Sequence, residues 1–437
     1  MTDLQIGVAG FVVLFVLLFL RMPVALAMML VGFVGTLVIN PLAALPVLAG
    51  EVFNTSTLYS MSMLPMFVLM GNMAGAAGLS RDLYDAAHAW MGRFRGGLAS
   101  ATVVGAAGFS AMSGSSLASA VTMGRVALPQ MKRFRYDDGL STGVIAAGGT
   151  LGILIPPSAG FIVYSILTEE SIGRLFMAGV LPGLLLTALF VVAVMVQTSL
   201  KPDLAPSSDV RIPTAERFAA LRRGLWIIGI ILVTIGGIYS GVFSAIEAAG
   251  IGTLLTCAVA ALRRSLTLGQ VTKAVGNTLQ ATGTTFLILI GAFVLTPFIT
   301  LSGIPDALLT LIADSGAGPY TVLVLILLTL ILLGTFLEGF AILVLTLPFV
   351  QPMVMQAGFD MVWFGVLMVI VLEMGLISPP VGVNVFVVKG IAPDVPMGTI
   401  FRGIIPFWLA MFVVLIVLIA FPALATLLPD SMFGAIP

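Results

Sequence analysis

GTLGILIPPSAGFIVYS, residues 149–165, decides how the rest of the chain reads. Two adjacent prolines, Pro156 and Pro157, interrupt an otherwise continuous apolar helix. Each removes a backbone donor and collides with the carbonyl four residues earlier, so the helix opens there. The surroundings make this opening costly. The 437-residue chain is 59% hydrophobic and 9% charged, and apolar runs of about 18 or more residues, long enough to cross a bilayer, recur along it. Freed carbonyls inside lipid find no water. A helix broken at that depth therefore needs a reason. The expected fold class is an all-α polytopic membrane protein. The formal net charge of +0 gives no footprint for nucleic acid, and the single cysteine, Cys257, cannot form a disulfide within the chain.

Orientation follows from the basic residues, which are held inside. The first apolar run, 5–20, is preceded by Asp3 and followed by Arg21. It is read as an uncleaved helix with its N-terminus outside, although the ALA at 25–27 imitates a cleavage site. Basic residues then cluster at 81–95 and 132–135, in the linker 201–223, and at Arg263, Arg264 and Lys273. Both ends of the segment 96–131 are basic, and its apolar limbs meet at SAMSGSS, too polar and glycine-rich for a helix interior. It reads as a hairpin that enters from the cytoplasm and turns within the membrane; two full crossings are the alternative.

The proline-rich, charged linker 201–223 divides two halves that resemble each other. GILIPPSAGFIVYS aligns with GLISPPVGVNVFVV at an offset of 379 − 156 = 223, and YDDGL falls on FDMVW. FSAMSGSS falls on GTFLEGFA at 339 − 114 = 225. Following the positive-inside rule, the second hairpin, 319–354, enters from outside. The result is a pair of inverted repeats, each with a re-entrant hairpin and a proline-broken helix, which is the pattern of a secondary transporter. The expected organisation is N-terminal scaffold helices in 1–60 and a first repeat in 61–200 with its broken helix at 139–168. The linker 201–223 and scaffold helices in 224–274 follow, then a second repeat in 275–437 with its broken helix at 361–389.

A helix broken near the midplane can turn carbonyls and half-helix ends toward an ion or substrate. Sodium, a hard cation, takes hydroxyl and carbonyl oxygens without the cost of an intramembrane carboxylate. The first tip offers Ser110, Ser113, Ser115 and Ser116, with Gly114 allowing close approach. The first break offers Thr150, Gly152, the carbonyls before Pro156 and Pro157, and Ser158. In the second half the tip offers Thr335, Glu338 and Gly339, and the break Gly375, Ser378, Pro379, Gly382 and Asn384. Half-helix N-termini favour an anionic substrate, for which Ser116, Pro157, Ser158, Gly382 and Asn384 are the candidate contacts. Close helix packing is the competing explanation for each small residue. Among acids in apolar surroundings, Glu338 at a tip is a stronger candidate than Glu247 or Glu373, which structural pairing explains nearly as well. His88, the only histidine, reads as a solvated residue of an amphipathic segment, and the 23 methionines as packing filler.

GLSRDLYDAAHAWMGRFRGGLASATV, SGSSLASAVTMGRVALPQMKR, AAGGTLGILIPPS, TEESIGRLFMAGVLPG, GVFSAIEAAG and SPPVGVNVFV span most of the chain. Together they resemble the large membrane (M) subunit of TRAP (tripartite ATP-independent periplasmic) transporters. The resemblance implies a sodium-driven importer of small organic anions, carboxylates or sialic-acid-like, in the bacterial inner membrane; the placement of Arg21 and the basic linker puts both termini in the periplasm. The resemblance implies two partners, a periplasmic substrate-binding (P) protein and a small four-helix membrane (Q) subunit, and sodium as coupling ion with no other cofactor. It also implies an elevator mechanism, one sodium site at 113–116 with the break at Pro156, and a second at 335–339 with 375–384. SAI at 244–246 departs from the more usual Thr-Pro-Thr. A stand-alone sodium–dicarboxylate elevator transporter is the runner-up. A channel would not need two opposed hairpins, and an intramembrane hydrolase would need nucleophile and base or metal ligands, for which no H-E-x-x-H is present.

Overall fold

A computed structural model describes residues 1–206 and 213–434; the part of the expected linker at 207–212 lies outside them. The described residues form twenty α-helices and no strand. The first half runs α1 (Asp3–Phe19), α2 (Val24–Ile39), α3 (Pro41–Thr57), α4 (Met63–Ala76) and α5 (Leu79–Met91). It continues as α6 (Gly97–Ser113), α7 (Ser116–Arg133), α8 (Asp138–Leu154), α9 (Ala159–Thr168) and α10 (Ile172–Leu200). The second half runs α11 (Thr214–Tyr239), α12 (Ala245–Leu262), α13 (Leu268–Leu301) and α14 (Ile304–Ser315). There follow α15 (Pro319–Gly334), α16 (Gly339–Gln356), α17 (Met361–Leu376), α18 (Val383–Ile391), α19 (Met397–Ala420) and α20 (Ala423–Phe433). Among the described residues, seven helices are long and apolar enough to cross a membrane, counting α8 and α9 as one.

Local chemistry fixes where the elements start. Asp137 caps α8 by accepting from the Leu140 N–H at 2.9 Å, and Asp360 caps α17 by accepting from the Trp363 N–H at 2.6 Å. These aspartates are 360 − 137 = 223 apart, the spacing of the two Pro-Pro pairs. Ser115 caps α7 and Glu338 caps α16, again 338 − 115 = 223 apart. The tip register of 225 is therefore corrected: it is 223 after the tips, with Ser115 on Glu338, and 334 − 113 = 221 at the ends of the limbs before them. The physical reason is loop length, since α6 and α7 are joined by residues 114–115 whereas α15 and α16 are joined by 335–338.

The two broken helices lie side by side in opposite directions. Tyr164, near the end of α9, donates its hydroxyl to the Met361 carbonyl at the start of α17, at 2.7 Å. At the other end Lys132, closing α7, pairs with Asp394, just past α18. The pairing is reciprocal: α9 packs on α16 of the other half, and α18 packs on α7. Around this body stand α1–α4 and α11–α14. Here α2 and α13 touch closely, for a Cβ on Gly32 would lie 2.5 Å from the Val294 carbonyl oxygen. Glycine there lets two backbones meet where no hydrophobic effect drives helices together. Between α1 and α14 on one side and α15 and α16 on the other lies an apolar cleft of about 760 Å³, lined by Phe11, Phe15, Leu311, Leu325 and Phe349.

Four expectations change. The boundary expected at 275 falls inside α13, which begins at Leu268 because Thr267 and Gln270 form a capping box there. The short α14 had no counterpart in the sequence reading. Glu247 is exposed, and with Ser244 it forms the capping box of α12 instead of sitting among apolar groups. His88 is half-buried and stacks on Tyr84 at 6.1 Å, because it follows Tyr84 by one helical turn.

Candidate functional site

The first tip is built against its own broken helix. Helix α6 ends on Gly114 in the left-handed conformation (φ 59°), which turns the chain within two residues. The Gly114 carbonyl accepts from the Ala159 N–H at 3.2 Å, which ties the tip to the start of α9. A Cβ on Gly152 would fall 2.5 Å from the Ser115 carbonyl oxygen, so tip and break meet backbone to backbone.

The break shows where the released carbonyls go. Pro157 cannot donate to Ile153, and the Ser158 hydroxyl donates to that carbonyl instead while accepting from the Phe161 N–H at 3.3 Å. Ser158 thus repairs one side of the break and caps the other. Pro156 likewise cannot donate to the Gly152 carbonyl. Other hydroxyls have structural duties. Ser110 and Ser113 both bond Ser119, at 3.3 and 2.9 Å, across the hairpin. Thr150 bonds back to the Ala147 carbonyl at 2.6 Å. Ser115 accepts from the Ala118 N–H at 3.4 Å.

The second tip is looser. Thr335 bonds back to the Leu332 carbonyl at 2.8 Å, and Glu338 accepts from the Ala341 N–H at 3.4 Å. Gly339 faces only Leu376, at 3.6 Å from an added Cβ. Gly375 lies against Gly334, whose own added Cβ would fall 2.8 Å from the Gly375 Cα. At the break beyond it, Ser378 donates to the Met374 carbonyl at 2.6 Å and accepts from the Trp408 indole at 2.9 Å. Both Pro156–Pro157 and Pro379–Pro380 bonds are cis. Gly382 opens α18 at a positive φ of 63°. Asn384 is 0% exposed, and neither its amide oxygen nor its nitrogen has a partner. A buried side-chain amide with no bond points to something that completes it.

One contact joins the halves at this level. The Ser116 hydroxyl donates to Glu373 Oε1 at 2.8 Å, and Glu373 is 1% exposed. Its Oε2 is buried without a partner. The ion pairs among the described residues lie elsewhere: Lys132 with Asp394, Arg174 with Asp430, and Asp82 with Arg223 and Arg263. The region between tips and breaks is thus rich in oxygen and amide groups and holds carboxyl groups without a basic partner. Such a region suits a cation better than a bare anion. Among the described residues no three His, Cys, Asp or Glu side chains gather into a metal-holding group.

Sequence reading picked out Ser116, Gly152, Ser158 and Asn384 but ranked Glu373 below Glu338. Glu373 stood out as an acid in an apolar run, yet nothing local paired it with a serine 257 residues away. Ser119 and Trp408 were also missed. Ser119 had a usable signal, since it lies one turn after Ser115 and Ser116 on α7.

Residues 11–424 match the family described as "Tripartite ATP-independent periplasmic transporter, DctM component". The C4-dicarboxylate TRAP transporter large permease protein DctM of Pseudomonas aeruginosa is 34% identical over 88% of this chain and 89% of its own length. The sialic acid TRAP transporter large permease protein SiaM of Vibrio cholerae is 30% identical over 96% and 97%. Among solved structures, the YdaH transporter of Alcanivorax borkumensis, described as having an unusual topology, shares the fold with a TM-score of 0.60. It covers 87% of this chain and 88% of its own at 16% identity.

Proposed function

We propose a transport function from one premise: the chain belongs to the DctM family of tripartite ATP-independent periplasmic transporters. It is a large permease subunit with multiple membrane spans. In this reading it imports a small organic anion, a carboxylate such as a C4-dicarboxylate or a sialic acid, driven by sodium. A periplasmic binding protein delivers the substrate and a small membrane subunit completes the permease, in the bacterial inner membrane. The match over residues 11–424 carries this reading. The oxygen-lined tips and breaks support a hard coupling cation, since sodium needs no more than hydroxyls, carbonyls and an occasional carboxylate. A bound cation would then present positive charge to an anionic substrate in a region that has no basic side chain in an ion pair. Alternating access follows as a displacement of α6–α9 and α15–α18 against α1–α4 and α11–α14, an elevator motion. The cleft of about 760 Å³, with α15 and α16 on one side and α1 and α14 on the other, leaves room for it.

The test is uptake of labelled C4-dicarboxylate or sialic acid into proteoliposomes holding the permease, with the binding protein added outside. Uptake should need both an inward sodium gradient and the binding protein. Uptake without the binding protein would favour the stand-alone carrier. Both termini are placed in the periplasm, from Arg21 and the basic linker; a reporter active only in the cytoplasm, fused at the C-terminus, should stay silent.

A further inference from the structure

Ser116 is the first residue of α7, and its hydroxyl reaches across to the other half of the molecule. It donates to Glu373 Oε1 at 2.8 Å, with both residues almost fully buried. A hydroxyl carries one proton and two acceptor lone pairs. To hold a cation it must aim a lone pair at the ion and place its proton on some other acceptor. The neighbouring hydroxyls are already committed: Ser110 and Ser113 bond Ser119, and Ser115 caps α7. Ser116 is the one whose proton is taken by a side chain of the opposite repeat.

The geometry points to Glu373 as a positioning residue that aims the lone pairs of Ser116 into the first tip, so that a cation is held there only while that tip is docked on α17. The proposal rests on the sodium reading above. It gives second-layer acceptors the part they play at metal sites, where the group behind a ligand fixes its orientation and raises its basicity. It also accounts for the unpartnered Glu373 Oε2. An isolated buried carboxylate is unfavourable, and a cation one layer away offsets that cost. Cation binding at one repeat and docking of the other thus become a single event.

Glu373→Leu removes the acceptor, whereas Glu373→Gln keeps an acceptor oxygen without the charge. In proteoliposomes with the binding protein and small subunit, Glu373→Leu should raise the sodium concentration for half-maximal uptake about tenfold, the worth of one charge-assisted hydrogen bond. Ser116→Ala should do the same, and the double variant should be no worse than the stronger single one, because both cut one link. Glu373→Gln should fall between. For Glu373→Leu, which touches no candidate substrate contact other than through Ser116, the substrate KM at saturating sodium should stay within about twofold of wild type, which a generally damaged fold would not allow. Hydrogen exchange of the tip, 110–118, in sodium-free detergent gives a second readout: faster in Glu373→Leu and Ser116→Ala, unchanged in Glu373→Gln. Wild-type sodium dependence in Glu373→Leu, or additive losses in the double variant, would overturn the proposal alone. A wild-type protein indifferent to sodium would overturn the sodium reading and this proposal with it.

Discussion

The two hairpins occupy matching places in the two halves, yet they are built to different tolerances. The first turns in two residues, 114–115, with serines on its inner face and backbone pressed against its own broken helix. The second turns in four, 335–338, exposes Phe336, and borders an apolar cleft toward α1 and α14. Close backbone packing has one arrangement and resists change, because interiors packed to crystal density transmit strain instead of absorbing it. A longer tip beside an open cleft has room to shift within its loop, 335–338. The first tip is therefore the tighter of the two turns, and the second, although its limb meets its own broken helix at Gly334 and Gly375, ends in the looser loop.

The strongest way to break this comparison is a paired substitution at the tips. Gly114→Val forces a left-handed backbone on a branched residue and drives its Cβ to 2.7 Å from the Pro157 carbonyl oxygen. The two effects together should cost about 2–5 kcal/mol. Folded protein recovered in detergent should fall sharply, and uptake with it. Gly339→Ala meets only Leu376 at 3.6 Å and should leave both nearly intact. Equal damage from the two would show that the tips are equally tight.

A smaller effect concerns the hydroxyls. Ser116→Ala loses a bond that links the halves, whereas Thr335→Ala loses only a bond to its own helix. Sodium half-saturation of uptake should therefore shift well over fivefold for Ser116→Ala and by about twofold for Thr335→Ala, following one hydrogen bond of roughly 1 kcal/mol or more against a partial loss. The cleft gives the next test. Thr329→Phe places a ring into it from α15. Uptake should slow by roughly threefold while thermal stability holds, since substitutions at open positions change stability by about 0.5 kcal/mol or less. Unslowed uptake would mean that the cleft does not open and close during transport.

The smallest effect is expected at Lys132 and Asp394, an exposed ion pair that joins the ends of the two halves. Lys132 holds the Asp394 carboxyl below the usual carboxylate range, chiefly through its hydrogen bond. The folded value is depressed, so its contribution is present above the ordinary pKa of about 3.9 and fades as pH falls through the folded value. Asp394→Asn should leave uptake at neutral pH unchanged, and any stability difference from wild type should vanish in acid.

What the sequence made legible was whatever acts within one helical turn. Two prolines break a helix wherever they stand, so the breaks could be read directly, and the aligned YDDGL and FDMVW already held the aspartates, Asp137 and Asp360, that prove to be caps. Inserted residues in a loop leave no such mark. Glu338 was matched two positions out of register because glycines at 114 and 339 looked alike, although it is Ser115 and Glu338 that do the same job. The bond between Ser116 and Glu373, and that between Trp408 and Ser378, depend on which helices the fold brings together. No local periodicity encodes them. The cleft, made by four separate helices, was equally invisible.

The antiparallel placement of the two broken helices also has an electrical consequence. Each half-helix carries a dipole equivalent to about half a charge at either end. Because α8 and α9 run one way and α17 and α18 the other, those dipoles largely cancel along the bilayer normal. If these helices travel together, the membrane voltage has little grip on their backbone. It acts on what they carry, at about 2.3 kcal/mol per elementary charge per 100 mV. An ionised Glu373 moving with the cargo would cancel one cation. The charge displaced per cycle then counts the bound ions and substrate less the carboxylates that accompany them, which makes the current through a single turnover a direct census of the occupied site.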